Sequence, residues 1–424
     1  MDDRDRSSGP GANPRLPAPP HLRHLHDGIG QPGINRSSAP LATNCSLLHW
    51  PSRPVFPRGV PLHGSHSYQD QETRPGLVPV QSHRGGASAS LPHRLNLALQ
   101  GGGANGAFTW GLLDRLLEHE GLQFEGLSGG SAGAMNAVVF ADGWCKGGRA
   151  GARAALAEFW SEVGKLMPPG MVVEGEGEAI RLSLASRLLV SWASHFAPAQ
   201  INPRELNPLR DLLTPLVDFE TLRERRPFRL FVAATQANSG RLRIFREQEL
   251  TVDMLMASAC LPKIHHPVDI DGEPYWDGGY SANPAVFPQF YDCEAQDVLL
   301  VLLTPLQRDD EPRTAKEIDE RITELSFNAT FMREMQTFAR ATEFSDLAPA
   351  TSDTLASKLR AMRFHMIDVC DLASLERTDT KALAHAPFVD LLRDQGRERA
   401  TTWLKEHAGD VGTRSSIDVQ KWFG

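Results

Sequence analysis

Paired cysteines are missing from this chain. Its five cysteines (Cys45, Cys145, Cys260, Cys293 and Cys370) are an odd set, and no two stand in a Cys-x-x-Cys spacing. That argues against a disulfide framework or a zinc site and fits a reducing compartment. Cys260, inside the apolar stretch Ala257 to Leu261, reads as a small buried hydrophobe. Long apolar runs are missing too. None reaches the about 18 residues of a membrane-spanning helix. The charged start Met1 to Arg6 is not followed by the apolar core of a signal peptide. The expectation is a cytoplasmic protein, at most peripheral to a membrane. An excess of basic charge is absent as well: the formal net charge is -8 over 424 residues. Nucleic acid is therefore not the expected partner, whereas a local apolar or basic patch can still bind lipid.

What the chain does contain falls into three stretches. Residues 1–92 are dense in Pro, Gly, Ser, His and Arg, with apolar residues scattered without period. Such a stretch buries too little surface to offset the entropy of ordering, so a disordered tail is expected. His21, His24 and His26 within it read as solvated side chains. Residues 93–306 alternate strand-like and helix-like patterns, which implies a layered α/β core. Leu95 to Leu99 is a short buried strand, Ala107 to His119 has helical spacing, and Phe124 to Leu127 is a second strand. Ala132 to Ala141 reads as a buried helix. Arg229 to Thr235 and Asp297 to Leu303 are continuous apolar runs, as in strands covered on both faces. Residues 307–424 read as a helical extension packed on the core, with helical patterns over Ala315 to Ala341 and Ala382 to His407. One further stripe stands out: Leu184, Leu188, Trp192 and Phe196 recur every four residues. It reads first as core or cavity wall and second as a lipid contact.

Three glycine-rich elements carry chemistry. Ser131 lies in Gly129-Gly130-Ser131-Ala132-Gly133, between an expected strand and an expected helix. Small neighbours let strand and helix pass closely, and the turn exposes a nucleophilic hydroxyl at a helix N-terminus. Upstream, Gly101-Gly102-Gly103-Ala104-Asn105-Gly106 follows a strand. Its backbone N–H groups can converge on a developing oxyanion. Gly101, Gly103 and Gly106 also satisfy the dinucleotide fingerprint Gly-x-Gly-x-x-Gly, with Glu125 near the place of a ribose-binding acid. A nucleotide fold has no use for the serine turn that follows, which disfavours that reading. Downstream, Asp277-Gly278-Gly279 supplies a carboxylate at a tight loop. Aspartate is a weak base in water, with a pKa of about 3.9, and works as one only when desolvated. His265 and His266 are the histidines nearest to it in sequence, and neither they nor His119, His195, His365, His385 or His407 sits in a triad motif.

This set of elements, with Asn207 to Leu212, Ala257 to Pro262 and Asn283-Pro284, resembles the bacterial patatin-like phospholipases over roughly residues 95–306. The resemblance implies a three-layer α/β/α core with a mostly parallel central sheet. It implies catalysis by a Ser131–Asp277 dyad through an acyl-enzyme, without metal or other cofactor. Gly101, Gly102, Gly103 and Ala132 would form the oxyanion hole, supported by Asn105, Gly106, Gly129, Gly133, Gly278 and Gly279. The substrate would be a lipid or other acyl ester, met at a membrane surface. Passing the acyl group to an alcohol, or binding lipid without turnover, are the alternatives. One departure is Asn105, which stands where the family carries Arg or Lys. The neutral side chain leaves neutral acyl esters open beside anionic phospholipids.

Overall fold

The computed structural model describes residues 93–168, 170–193, 195–308, 311–346 and 355–424. The tail expected to be disordered, residues 1–92, lies outside the described residues. In chain order the strands are β1 (His93–Leu99), β2 (Leu122–Gly130), β3 (Val173–Glu174), β4 (Arg181–Leu182), β5 (Arg229–Gln236), β6 (Leu242–Arg246), β7 (Val268–Ile270), β8 (Glu273–Asp277), β9 (Asp297–Val301) and β10 (Arg363–Ile367). The helices are α1 (Gly106–Leu117), α2 (Ala132–Val163), α3 (Leu184–Ala193), α4 (Pro198–Ile201), α5 (Pro208–Leu216), α6 (Phe219–Arg225), α7 (Val252–Ser258), α8 (Phe287–Asp292), α9 (Ala315–Asp346), α10 (Leu355–Ala361), α11 (Ala373–Glu376), α12 (Ala386–His407) and α13 (Val419–Phe423).

Eight strands form one mixed sheet in the order β10-β9-β1-β2-β5-β8-β7, with β6 also on β5. The pairings from β10 to β5 are parallel, and β6 and β8 run antiparallel to β5. The expected three layers are present. Alternation along β1 and β9 explains them, because successive side chains leave opposite faces of a strand. Leu95, Leu97, Leu99, Leu299 and Val301 point into the larger core with α1, α2 and α12. Ala98, Val298 and Leu300 point into the second, with Phe331, Met335 and Phe338 of α9 and Phe423 of α13.

The strands outlined from sequence are a little longer or shorter in place, and α2 runs well past Ala141. It breaks at Gly147 and Gly148, whose backbone is non-helical. Residues 307–424 supply helices, as expected, and also β10, an edge strand of the sheet. Helix α12 crosses α1 so closely that a Cβ on Gly111 would collide with the Arg393 backbone, and one on Gly396 with the Phe108 carbonyl. Two small residues thus seat the late helix on the early one.

Asp297 locks β9 to β10. It is buried, and it accepts from Arg363 Nη2 (2.7 Å) and the Gly412 amide (2.8 Å), with His365 Nε2 at 3.1 Å. Burial alone would raise its pKa, but the hydrogen bonds from His365, Arg363 and Gly412 hold it down to about 2. The stabilisation is therefore full above the unfolded carboxylate range and is lost as pH falls toward 2. Asp297→Ala, which strands Arg363 and His365, is expected to lower stability by about 3–5 kcal/mol at pH 7. Urea unfolding measures this, and the gap to the parent should shrink below pH 4.

Candidate active site

Ser131 is the single residue between β2 and α2. Its backbone is left-handed, with φ 52° and ψ −127°. Such a conformation costs a non-glycine residue about 1–3 kcal/mol and persists only when its surroundings impose it. Here they do. The Ser131 N–H donates to the carbonyl and hydroxyl of Ser258, each at 3.0 Å, and its carbonyl accepts from Met135 in the first turn of α2. A Cβ on Gly133 would collide with the Leu99 carbonyl, so helix and strand touch backbone to backbone. The half-buried Ser131 side chain is left at the positive end of the helix dipole.

The glycine loop lies directly against it. A Cβ on Gly101 would stand 2.9 Å from Ser131 Cβ. Gln100 anchors the loop: its Oε1 accepts from Leu303 (2.6 Å) and Thr304 (3.0 Å), and its Nε2 donates to Asn328 of α9 (2.9 Å). The Gly101 N–H donates to Asn283 Oδ1 at 2.7 Å. The amides of Gly102, Gly103 and Ala132 find no acceptor among the described residues. Gly103 has φ +59° and abuts the carbonyl of Lys381, in the turn Thr378–Ala382 before α12. Burial pushes the Lys381 ammonium below its usual pKa. Asn105 is fully buried, and neither of its side-chain amide atoms has a partner; the same holds for Thr109 Oγ1 one turn on.

Asp277 reaches the serine through the register of β5. On one side, β5 pairs with β6 over Phe231 to Thr235. On the other, β2 pairs with its first residues, ending at Gly130 opposite Ala233, and β8 takes over with Asp277 opposite Ala234. The two strands run toward each other along one edge, and their C-terminal ends meet. Asp277 is 0% exposed. Its Oδ1 accepts from the Gly279 amide at 2.8 Å, and its carbonyl accepts from Thr235 Oγ1. Burial drives its pKa up to about 6, against the opposing pull of the Gly279 amide and the Ser131 hydroxyl. The Ser131 contact falls short of a full hydrogen bond, and Oδ2 has no partner. Resting sites often tighten such contacts only when substrate binds.

No histidine among the described residues bonds Ser131 or Asp277. His266 Nε2 lies 3.2 Å from the Asn202 carbonyl, His365 is held by Asp297, and His265 is half-buried with its Nδ1 enclosed and unpartnered. Cys260 is buried as expected; burial raises its thiol to about 11, and its Sγ donates to the His266 carbonyl. Among the described residues one ligand-type trio lies close together, Asp368, Cys370 and Asp371, and it includes no residue of the serine site. Residues that sequence reasoning did not single out are Lys381 behind Gly103 and Phe327 of α9. Phe327 lies against Gly279, its ring 4.7 Å from that of Tyr280. Neither belongs to a motif; the tertiary fold alone brings them here.

Residues 97–288 match the protein-family model described as patatin-like phospholipase. Among solved structures, VipD from Legionella pneumophila is similar, with 14% identity over 76% of this chain and 68% of that chain and a TM-score of 0.31. No curated protein matches the chain.

The raised pKa of Asp277 has a measurable consequence. Ionising the buried carboxyl costs the folded state, so this cost is absent below about pH 4 and complete above about pH 6. Asp277→Asn escapes it and is expected to gain up to about 3 kcal/mol over the parent at pH 7 to 8. Thermal unfolding across that range checks this. A variant gaining nothing above pH 6 would contradict the assignment.

Proposed function

We propose that this chain, which carries a patatin-like phospholipase domain over residues 97–288, is a lipid acyl hydrolase working through a Ser131–Asp277 dyad at a membrane surface. The observation that carries the reading is the unpartnered Oδ2 of a fully buried Asp277 beside a strained serine turn. The domain implies a lipid acyl substrate; the residue roles rest on the geometry.

In this reading Ser131 Oγ attacks the ester carbonyl while Asp277 Oδ2 takes its proton. A carboxylate with a pKa of about 6 is ionised at neutral pH and still basic enough to share that proton. The negative charge moving to the carbonyl oxygen is met by the free amides of Gly102, Gly103 and Ala132, and by the N-terminus of α2. Gly101 braces the loop through Asn283. Collapse of the tetrahedral adduct breaks the ester bond, and Asp277 returns the proton to the departing alcohol. Water then attacks the acyl-enzyme, giving a proton to Asp277; collapse of the second adduct breaks the bond to Ser131 Oγ, Asp277 returns the proton to that oxygen, and the fatty acid leaves. No helix among the described residues is long and apolar enough to cross a membrane.

Ser131→Ala is expected to cut ester turnover by about 10³-fold or more and to abolish labelling by a fluorophosphonate probe. Full activity in that variant would refute the proposal. Gly103→Ala, forced against its positive φ and the Lys381 carbonyl, should misplace one oxyanion donor and lower kcat about 10²-fold. Free fatty acid as the product, rather than a new ester, separates hydrolysis from acyl transfer.

A further inference from the structure

The stripe over Leu184 to Phe196 is not a core or cavity wall. In α3, Leu184 is 61%, Leu188 62% and Trp192 61% exposed, and Leu189 and Val190 are exposed as well; Ser186 alone is buried. Hydrogen bonds rather than apolar packing hold the helix. Ser186 Oγ accepts from the Val172 amide (2.8 Å) and donates to its carbonyl (3.1 Å). Ser183 caps the same turn, its Oγ accepting from the Ser186 amide at 3.2 Å. Spacing of four residues places Leu184, Leu188 and Trp192 on one face, and the Trp192 ring rests on Phe196 at 4.7 Å. Ile201 and Leu206 extend the apolar surface. A water-soluble protein gains nothing from ordering such a helix outward, and clustered exposed apolar side chains mark an interaction surface.

Two observations identify what covers it. The first is charge. From Ile180 to Arg204 there is no Asp or Glu, although the chain as a whole has a net charge of -8. The segment carries Arg181, Arg187 and Arg204, of which Arg187 is half-buried with its Nε enclosed; Glu174 lies opposite Arg181 across the β3–β4 pair, and Glu205, next to Arg204, stands 3.7 Å from His266 Nδ1. The second is position. The Asn202 carbonyl meets His266 Nε2, and Ile264 is exposed on the same loop. That loop follows directly from Ser258 and Cys260, which bond the backbones of Ser131 and Asp277. The segment bearing the apolar stripe is therefore tied through this loop to the residues that hold the serine turn.

We infer that α3 and the segment through Arg204 dock on an anionic lipid surface, with Leu184, Leu188 and Trp192 entering the interface and the exposed Arg204 facing the headgroups. An amphipathic helix with aromatic and leucine contacts and flanking cations binds in this way. The inference takes the lipid substrate from the reading above but does not depend on Ser131 as nucleophile.

The test measures vesicle binding by co-sedimentation of the full chain in a Ser131→Ala background, so that turnover plays no part. Vesicles are phosphatidylcholine with or without phosphatidylglycerol. Leu188→Ser with Trp192→Ser should weaken binding by about tenfold or more, and Trp192→Phe should retain it. Arg204→Gln should narrow the difference between the two vesicle types. Unaltered binding in the double variant, with folding verified by circular dichroism, overturns the inference. So does equal binding to both vesicle types. Loss of a dimer in light scattering with vesicle binding unchanged also overturns it, because the face would then join two copies. An inactive wild type that still binds vesicles through these residues would sink the hydrolase reading and leave this one standing.

Discussion

One edge of β5 is shared by two strands approaching from opposite ends, and the serine site depends on that sharing. β2 leaves the edge at Gly130 and β8 arrives at Asp277, on consecutive β5 positions. A slip of one residue in either pairing would turn every side chain of that strand to the other face. Register, set by the buried apolar alternation of the sheet, thus fixes the geometry of two polar residues that contribute nothing to that alternation.

The electrostatics of the site are unusual in what they omit. Asp277 is buried with one amide donor, a neighbouring hydroxyl and no cation, so its ionised form is poorly stabilised. Asp297, equally buried, is surrounded by an arginine, a histidine and an amide and titrates far lower. The same residue type in the same sheet is a clamp in one place and, in the other, a buried carboxyl held near neutrality. Partner count rather than burial separates them. Ser131 adds a second stored cost, its left-handed backbone, imposed by Ser258 and the close helix–strand contact.

Much of this was legible in the sequence because the signals are local. A glycine pair around a serine, an apolar run before a glycine loop and an Asp-Gly-Gly turn each report a backbone conformation within about five residues. They named Ser131, Asp277 and the loop. What they could not report is partnership across the fold. Gly101 looks like its neighbours in sequence, yet Asn283 occupies its amide. β10 hides between helical patterns because an edge strand of five residues has too little period to declare itself. The α3 stripe has the spacing of a buried face, and only its tertiary surroundings reveal that Leu184, Leu188 and Trp192 stand exposed. Periodicity says which residues share a face, not what that face meets.

The contact between Gly103 and the Lys381 carbonyl links the earliest part of the described fold to one of the latest. The glycine loop is shaped near residue 100, but its outer wall arrives some way beyond residue 288, where the matched region ends. β9, β10 and α12 join the same core on either side of that wall. A fragment cut at residue 288 would keep Ser131 and Asp277 while losing the backing of the glycine loop. The matched region therefore holds the motifs, while part of the packing that shapes them lies beyond it.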